Sequence, residues 1–576
     1  MANSLFRTKP IHTILQEGGD DPHGEHTPGE PNHQLKRVLS VRDLTFFGIA
    51  AIIGAGSFSS LGQAVFSGGP GVVLLFVLCG IACAFTAMCY SEFASRIPVS
   101  GSAYTYAYAS FGELFAWIIG WALIMEYSIG NIYVAYSWSD YFTSLLQKLE
   151  IHIPDYLATS YREAEKAVRE GSTNVDLLNA WNSAPQWGGL RIILDLPALG
   201  INLLITYLVF RGIKESRNFS NLMVVLKLAA VALVILVGGY LIFSLDLTAN
   251  WFPENDQQVR SFMPNGFSGV MAAVSGVFFA YIGFDAVSVL AEESKNPQRD
   301  LPRGMMWSLV ICTIVYILLT LVLTGAANYR KFDGVGDPLA FIFEKEQLNV
   351  PWMQVLIAII AVVAMTSVLL VFQMGQPRIW MSMSRDGLMP PQFQKIHPRF
   401  QTPSFSTIVT GLVVGIPIIF TDKTFVLDFT SIATLFAFVL VCGGVLLIPA
   451  REKAATGFSM PYINSQFIYP LLILGAIGVL PYTVPGYFKE IIDFSAAEVN
   501  YTYNLSAIIF WLISLSLAVM AYIKRWSLIP LLGLTSCMYL LTGMTARNWA
   551  WFAAWLVLGV IFYALYGYKH SRLAKR

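Results

Sequence analysis

The sequence predicts an all-α polytopic membrane protein, a five-plus-five inverted-repeat bundle of about fourteen transmembrane helices in which helices 1 and 6 are discontinuous. Three observations carry this. The chain of 576 residues is 55% hydrophobic and only 13% charged, with mean hydropathy +0.58, whereas soluble domains carry about 25% charged residues. Apolar runs of about 20 residues recur between short polar joints, the length a helix needs to cross a hydrocarbon core. Two of these runs hold a glycine-centred break near the midpoint: Gly54-Ala55-Gly56 in the run 44–66, and Phe279-Ala280-Tyr281-Ile282-Gly283 in the run 267–291.

Taken in order, the first five helices are expected near 44–66, 70–95, 103–146, 192–210 and 218–244, and the next five near 267–291, 304–327, 352–385, 404–420 and 425–449. Four more follow near 467–485, 504–523, 527–544 and 548–569. A transmembrane barrel would instead show alternating segments of about ten residues. Arg42, Arg96, Arg211, Arg299, Arg385 and Lys524 all fall in joints on one side, and the positive-inside rule makes that side cytoplasmic, with both termini. The opposite side holds a long connection, 149–189, with a helix-like stretch around 161–169. Five crossings separate the two broken runs, so they enter the membrane from opposite sides, as an inverted repeat requires. Domain organisation follows: a polar, disordered tail over 1–40, a ten-helix transport core over 41–450, and four peripheral helices with the cytoplasmic C-terminus over 451–576.

A break at the bilayer midplane frees backbone groups that protein, water or a ligand must satisfy, so two breaks in one chain mark a central binding site. The alternative for each glycine is close helix packing. The first break leaves a half-helix N-terminus aimed at the midplane, suited to a carboxylate, and the carbonyls of the second suit an ammonium. A zwitterion, and hence an amino acid, fits both.

Few charges lie inside the runs, and such charges are functional candidates. Lys227 stands alone in 221–240, where it is either a snorkelling side chain or a buried group able to exchange a proton. Glu126 stands alone in 115–138 as a proton site, a partner for a substrate cation or a structural acid. Asp285 and Glu92, near helix ends or breaks, read as structural hydrogen-bonding or capping groups. The six cysteines lie within apolar runs, the seven histidines in tails or loops, and no GxxxxGK[ST] loop occurs. No disulfide framework or metal-ligand spacing is present, a membrane enzyme and a nucleotide-driven pump are disfavoured, no basic patch interleaved with aromatics points to nucleic acid, and no cofactor is expected. The histidines of the tail, His23, His26 and His33, read as solvated, with metal binding the alternative.

Several segments resemble the amino acid, polyamine and organocation (APC) transporters, and within them the cationic amino acid transporter-like branch. GIAAIIGAGSF at 48–58 is similar to that family's GxxxxxGxGxF segment. Tyr90-Ser91-Glu92 through Pro98, with Gly101 to Tyr104, resembles its YxE…P…GSAY motif, and FAYIGFDA at 279–286, with Glu292-Glu293, Asn296-Pro297, Arg299, Pro302 and Arg303, its FxxxGFD…EE..NP.R..PR block. GQPRIWMSMSRDGLMP at 375–390 is similar to the segment after helix eight. The resemblance implies the LeuT-like five-plus-five fold, a substrate carboxylate on the amides of Ala55 and Gly56 with Ile52 nearby, and a substrate amine on the carbonyls of Phe279, Ala280 and Ile282. It also implies Phe279 as an outer gate, Lys227 in place of a sodium ion, and proton coupling. Ala55 departs from the Thr or Ser common at its position, and the outer loop after helix three is long. Met365 and Val368 either shape the side-chain end of the pocket or pack the core.

The functional expectation is a secondary active transporter that imports L-amino acids across the plasma membrane by proton symport, with an exchanger or a non-transporting sensor as alternatives. Its partners are the amino acid, protons and the lipid bilayer, and it is not an enzyme. A small neutral substrate is favoured over a cationic one, because Glu126 is the main intramembrane acid available to hold a positive side chain.

Overall fold

The computed structural model describes residues 7–10, 14, 39–54, 56–97, 102–171, 174–212, 217–255, 258–400, 402–447, 458–483, 486–492 and 501–575. Ala55, the histidine-rich tail and most of the expected disordered tail lie outside them. Among the described residues, eight helical stretches are long and apolar enough to cross a bilayer, one of them the interrupted stretch Val41–Arg96, and four shorter apolar helices accompany them. The protein is an all-α, multi-pass membrane protein.

The first expected helix is three pieces: α1 (Val41–Ile52), a π-type turn (Gly56–Ser60) and α2 (Leu61–Gly68). Ser40 and Asp43 form a capping box at its start, which satisfies two orphan amides. Next comes α3 (Val72–Arg96). The run 103–146, expected as one helix, is two: α4 (Ser102–Ser110) and α5 (Glu113–Lys148). The cause is Gly112, whose φ of 97° only glycine adopts without strain. Phe111 N–H and Gly112 N–H both bond Ala107 O, which closes α4 before α5 begins. Then follow α6 (Leu196–Arg211) and α7 (Arg217–Ser244).

The sixth expected helix is the least regular. It comprises α8 (Gly266–Ala272), α9 (Val274–Phe279), a run of turns, and a 3₁₀ stretch Asp285–Glu293 where an α-helix was expected. Gly283, at φ 115°, is the pivot. After it come α10 (Pro297–Ala326), α11 (Pro351–Arg385), α12 (Ser404–Phe420) and α13 (Lys423–Leu447). The last four are α14 (Ile468–Thr483), α15 (Tyr501–Lys524), α16 (Leu528–Thr542) and α17 (Ala546–Phe562).

In the core α5 packs on α11 and α13, α10 on α3 and α1, α6 on α12, and α9 on the π-type turn of the first break. Two of the late helices are tied to this core. α16 packs on α13 and α3, and α17 exchanges indole bonds with α5, Trp121 Nε1 donating to Trp555 O (2.9 Å) and Trp555 Nε1 to Trp121 O (3.0 Å). α14 and α15 build a smaller apolar cluster around Tyr469 and Trp511 that takes in Leu528 and Leu531 of α16.

Both ends of the chain meet at the corner between α4 and α5. Glu113 is buried and its carboxylate accepts from Tyr563 Oη (2.8 Å), Ser571 Oγ (2.5 Å) and Tyr108 Oη (3.2 Å). Its N–H bonds Arg7 O, while Lys9 Nζ reaches Asp386 at 2.7 Å.

Candidate functional site

The site is built where the two breaks touch. A Cβ added to Gly56 would lie 2.6 Å from Ala280 Cα, and one added to Gly283 would lie 2.9 Å from Ala51 Cβ, so backbone meets backbone. The first break is stitched internally by Ser57 Oγ, which donates to Gly54 O (3.1 Å). Ser60 Oγ stitches it to the second, donating to Gly56 O (2.8 Å) and Gly276 O (3.0 Å). At the other end of these pieces, Lys295 N–H bonds Leu39 O (2.9 Å), which ties the start of α1 to the end of the 3₁₀ stretch.

Lys227, on α7, is 1% exposed, and its ammonium donates to Ser367 Oγ of α11 (3.2 Å) and to Ala50 O of α1 (3.4 Å). A buried ammonium is tolerated only when hydrogen-bonded, and these acceptors come from two different helices. Snorkelling is therefore not what this side chain does. Glu126 is buried on α5, facing Thr434 and close to Asp285, and its Oε2 has no hydrogen-bond partner among the described residues. Asp285 is buried at the start of the 3₁₀ stretch, beside the backbone of Gly283 and Ala286, where a group at a helix break is placed to cap it. Glu92 accepts from Arg96 Nε (2.7 Å) and from Met460 N–H (2.7 Å), a structural role.

Phe279 stands edge to face with Tyr133 of α5, ring centroids 4.5 Å apart. Beyond Tyr133 opens a cavity of about 360 Å³, lined by Ser59, Tyr133, Asp140, Glu163, Asp337 and Lys423 among others. Lys423 pairs with Asp140 and lies 5.6 Å from the Tyr133 ring centroid. One wall comes from the long connection between α5 and α6, whose helices Tyr161–Glu170 and Val175–Ser183 start at side-chain caps, Ser160 and Asn174. Desolvation, then the nearby Asp140 charge, pushes Glu163 up to about 7. An acid held above its unfolded value favours folding at low pH, and that contribution disappears as pH rises from about 4.5 to about 7. The wild type should therefore melt lower at pH 8 than at pH 6. Glu163→Gln should flatten that slope by about 1–2 kcal/mol, allowing for the partial exposure of the side chain. Thermal melts of the purified protein at the two pH values check this, and parallel slopes would refute it.

A broken pair of helices with a buried lysine beside them is the arrangement of a membrane carrier, and comparison with known proteins agrees. Residues 39–513 match the family model described as amino acid permease. The chain belongs to the amino acid permease family. Among its relatives, this permease is similar to the branched-chain amino acid permease BcaP of Bacillus subtilis, 35% identical over 573 residues and covering 100% of both chains. It is also similar to the methylthioribose transporter of the same organism, 37% identical over 84% of this chain and 94% of the relative. Cationic amino acid transporter 4, vacuolar, of Arabidopsis thaliana is 34% identical over 77% of this chain and 67% of its own. The permease is a transport protein and not an enzyme.

Of the residues singled out in the sequence, Ile52, Gly56, Phe279, Ala280 and Ile282 all lie at the touching breaks and are buried; Ala55 lies outside the described residues. Two of the three carbonyls expected to take an amine already have donors: Phe279 O accepts from Ile282 N–H (3.1 Å) and Ala280 O from Tyr316 Oη (2.7 Å). Lys227 lies against the first broken helix, whereas Glu126 sits in the neighbourhood of Asp285, Tyr90 and Tyr127. Val368 is in contact with the break, since a Cβ on Gly54 would fall 2.4 Å from its Cγ2, and Met365 is buried in the core. Sequence reasoning missed Tyr316, Tyr133 and the Asp140–Lys423 pair. Only Lys423 and Asp140 carried a signal, as opposite charges flanking apolar runs.

Proposed function

We propose that this permease is a proton-coupled symporter that imports L-amino acids across the plasma membrane by alternating access, with both termini cytoplasmic. The observation that carries the reading is the position of the Lys227 ammonium between Ala50 O and Ser367 Oγ. There it joins the first broken helix to α11 as a bound cation would, and a lysine can release its proton where a metal ion cannot. Loss of that proton frees the broken helix from α11 and biases the bundle between outward and inward states.

The fold reading behind this is the LeuT-like inverted repeat with fourteen crossings, residues 41–450 forming the transport core and 451–576 the periphery. Of the five element pairs that an inverted repeat would relate, four are packed against each other, α3 with α10, α5 with α11, α6 with α12 and the first break with α9, whereas α7 and α13 make no comparable contact. Partners related by a two-fold axis touch where they lie near that axis, which supports the reading. The substrate carboxylate would take the amides at Ala55 and Gly56, and its amine the carbonyls around Phe279, Ala280 and Ile282, with Phe279 and Tyr133 closing the outer side. Glu126 serves as a second proton site or lines the pocket.

In liposomes, uptake of amino acids should rise with an inward proton gradient and be indifferent to sodium. Uptake that requires sodium and ignores pH would remove the coupling claim. Counterflow without gradient-driven accumulation would make the protein an exchanger, and binding without flux would make it a sensor. The relatives carry names for branched-chain and cationic amino acids and for methylthioribose, so competition by the twenty amino acids and by methylthioribose belongs in the same assay. A small neutral amino acid is the expected winner.

A further inference from the structure

The hydroxyl of Tyr316, on α10, lies 2.9 Å from Ile52 O of the first break and 2.7 Å from Ala280 O of the second. The side chain is fully buried. Its ring is fixed by Phe76 of α3 and by Tyr281, each with its centroid 5.6 Å away, and Tyr281 is itself anchored by donating to Phe76 O (2.8 Å). The hydroxyl is therefore held at the junction of the two breaks rather than swinging past it.

A phenol carries one proton, yet here it faces two carbonyl oxygens at bonding distance. One donor shared by two acceptors serves neither fully, and an under-satisfied carbonyl in a buried site is costly. A primary ammonium carries three protons. Placed at this junction it can donate to both carbonyls and to the phenol oxygen, whose lone pairs are then free to accept.

From this geometry we propose that Tyr316 is a specificity-determining residue of the amine subsite, accepting a hydrogen bond from the substrate ammonium and holding Ile52 O and Ala280 O in register for it. The proposal rests on the amino acid transport reading. It selects substrates with a free α-ammonium over analogues of the same shape that lack one, since a 2-hydroxy acid brings a single proton to the same set of acceptors and reproduces the shortage.

The test compares wild-type protein and Tyr316→Phe in liposomes, using leucine, or whichever of the twenty amino acids is transported best, against its 2-hydroxy analogue as competitor. In the variant, KM for the amino acid should rise about tenfold, the loss of one hydrogen bond to a charged group, with maximal rate changed less. Discrimination between amino acid and hydroxy acid should narrow by a similar factor. A merely structural role would weaken both ligands equally, and that outcome, or an unchanged KM, overturns the proposal. Should Tyr316→Phe fail to fold, Tyr316→3,5-difluorotyrosine keeps ring and hydroxyl but makes the oxygen a poorer acceptor. It should raise KM for the amino acid selectively, and an unchanged KM overturns the proposal. Absence of both flux and binding of any amino acid by the wild type overturns the transport reading itself, a result distinct from wild-type flux that Tyr316→Phe leaves intact.

Discussion

Lys227→Met should reduce proton-driven accumulation of amino acid at least about tenfold, leaving the substrate to equilibrate. The substitution keeps much of the side-chain volume and removes every donor, so Ser367 Oγ and Ala50 O lose the ammonium that reaches both. Each buried acceptor left short costs about 1–3 kcal/mol, and the protonation event proposed to bias the bundle is removed. Lys227→Arg provides the discriminating control. It restores positive charge and donors but does not deprotonate in a protein, so it should fix the bundle in one state and also fail to accumulate substrate. Uptake of labelled amino acid under an imposed pH gradient reads both variants, alongside counterflow at equal pH. Full gradient-driven accumulation by Lys227→Met would sink the role assigned to this residue.

Gly56→Ala should abolish transport, by about a hundredfold or more, while leaving the protein in the membrane at normal abundance. The added methyl would stand 2.6 Å from Ala280 Cα and 3.3 Å from Ala280 O. Those are backbone atoms that cannot rotate aside, so the two breaks must separate and the carboxylate and amine subsites lose their spacing. Misplacement by about 1 Å at a site of this kind is enough to cost two orders of magnitude. Gly54→Ala makes the comparison informative. Its methyl would meet Val368 Cγ2 at 2.4 Å, a side-chain methyl on α11 that yields by a small shift of that helix rather than by separating the two breaks, so the loss should be several-fold only. Flux measured per amount of folded protein decides the matter, and a Gly56→Ala variant with half the wild-type rate would contradict it.

The two breaks were legible because glycine clusters stand out inside apolar runs, and Lys227 because a lone charge does so equally. The position of α1, α2 and α9 followed from those signals. The corner at Gly112 was not read, although glycine before an acidic residue there matches a helix stop and start; the apolar character on both sides carried the expected helix straight through. The 3₁₀ stretch after Gly283 has the composition of an α-helix, and only its packing against α1 and α3 distinguishes it. Tyr316 was invisible for a different reason. An aromatic residue within an apolar run is ordinarily core, and nothing local in 304–327 reports that its hydroxyl meets carbonyls 264 and 36 residues away. Lys423 and Asp140 did carry a signal, as opposite charges flanking apolar runs, but nothing local reports that they pair in one cavity wall.

The corner that Glu113 builds has a consequence for how the molecule is made. Its carboxylate is complete only with Tyr563 and Ser571, and its amide only with Arg7. That junction can therefore close only after Ser571 has been synthesised, long after Glu113 itself. Completion of this face therefore follows synthesis of the helices that lie between Arg7 and Ser571, the two segments it joins around Glu113.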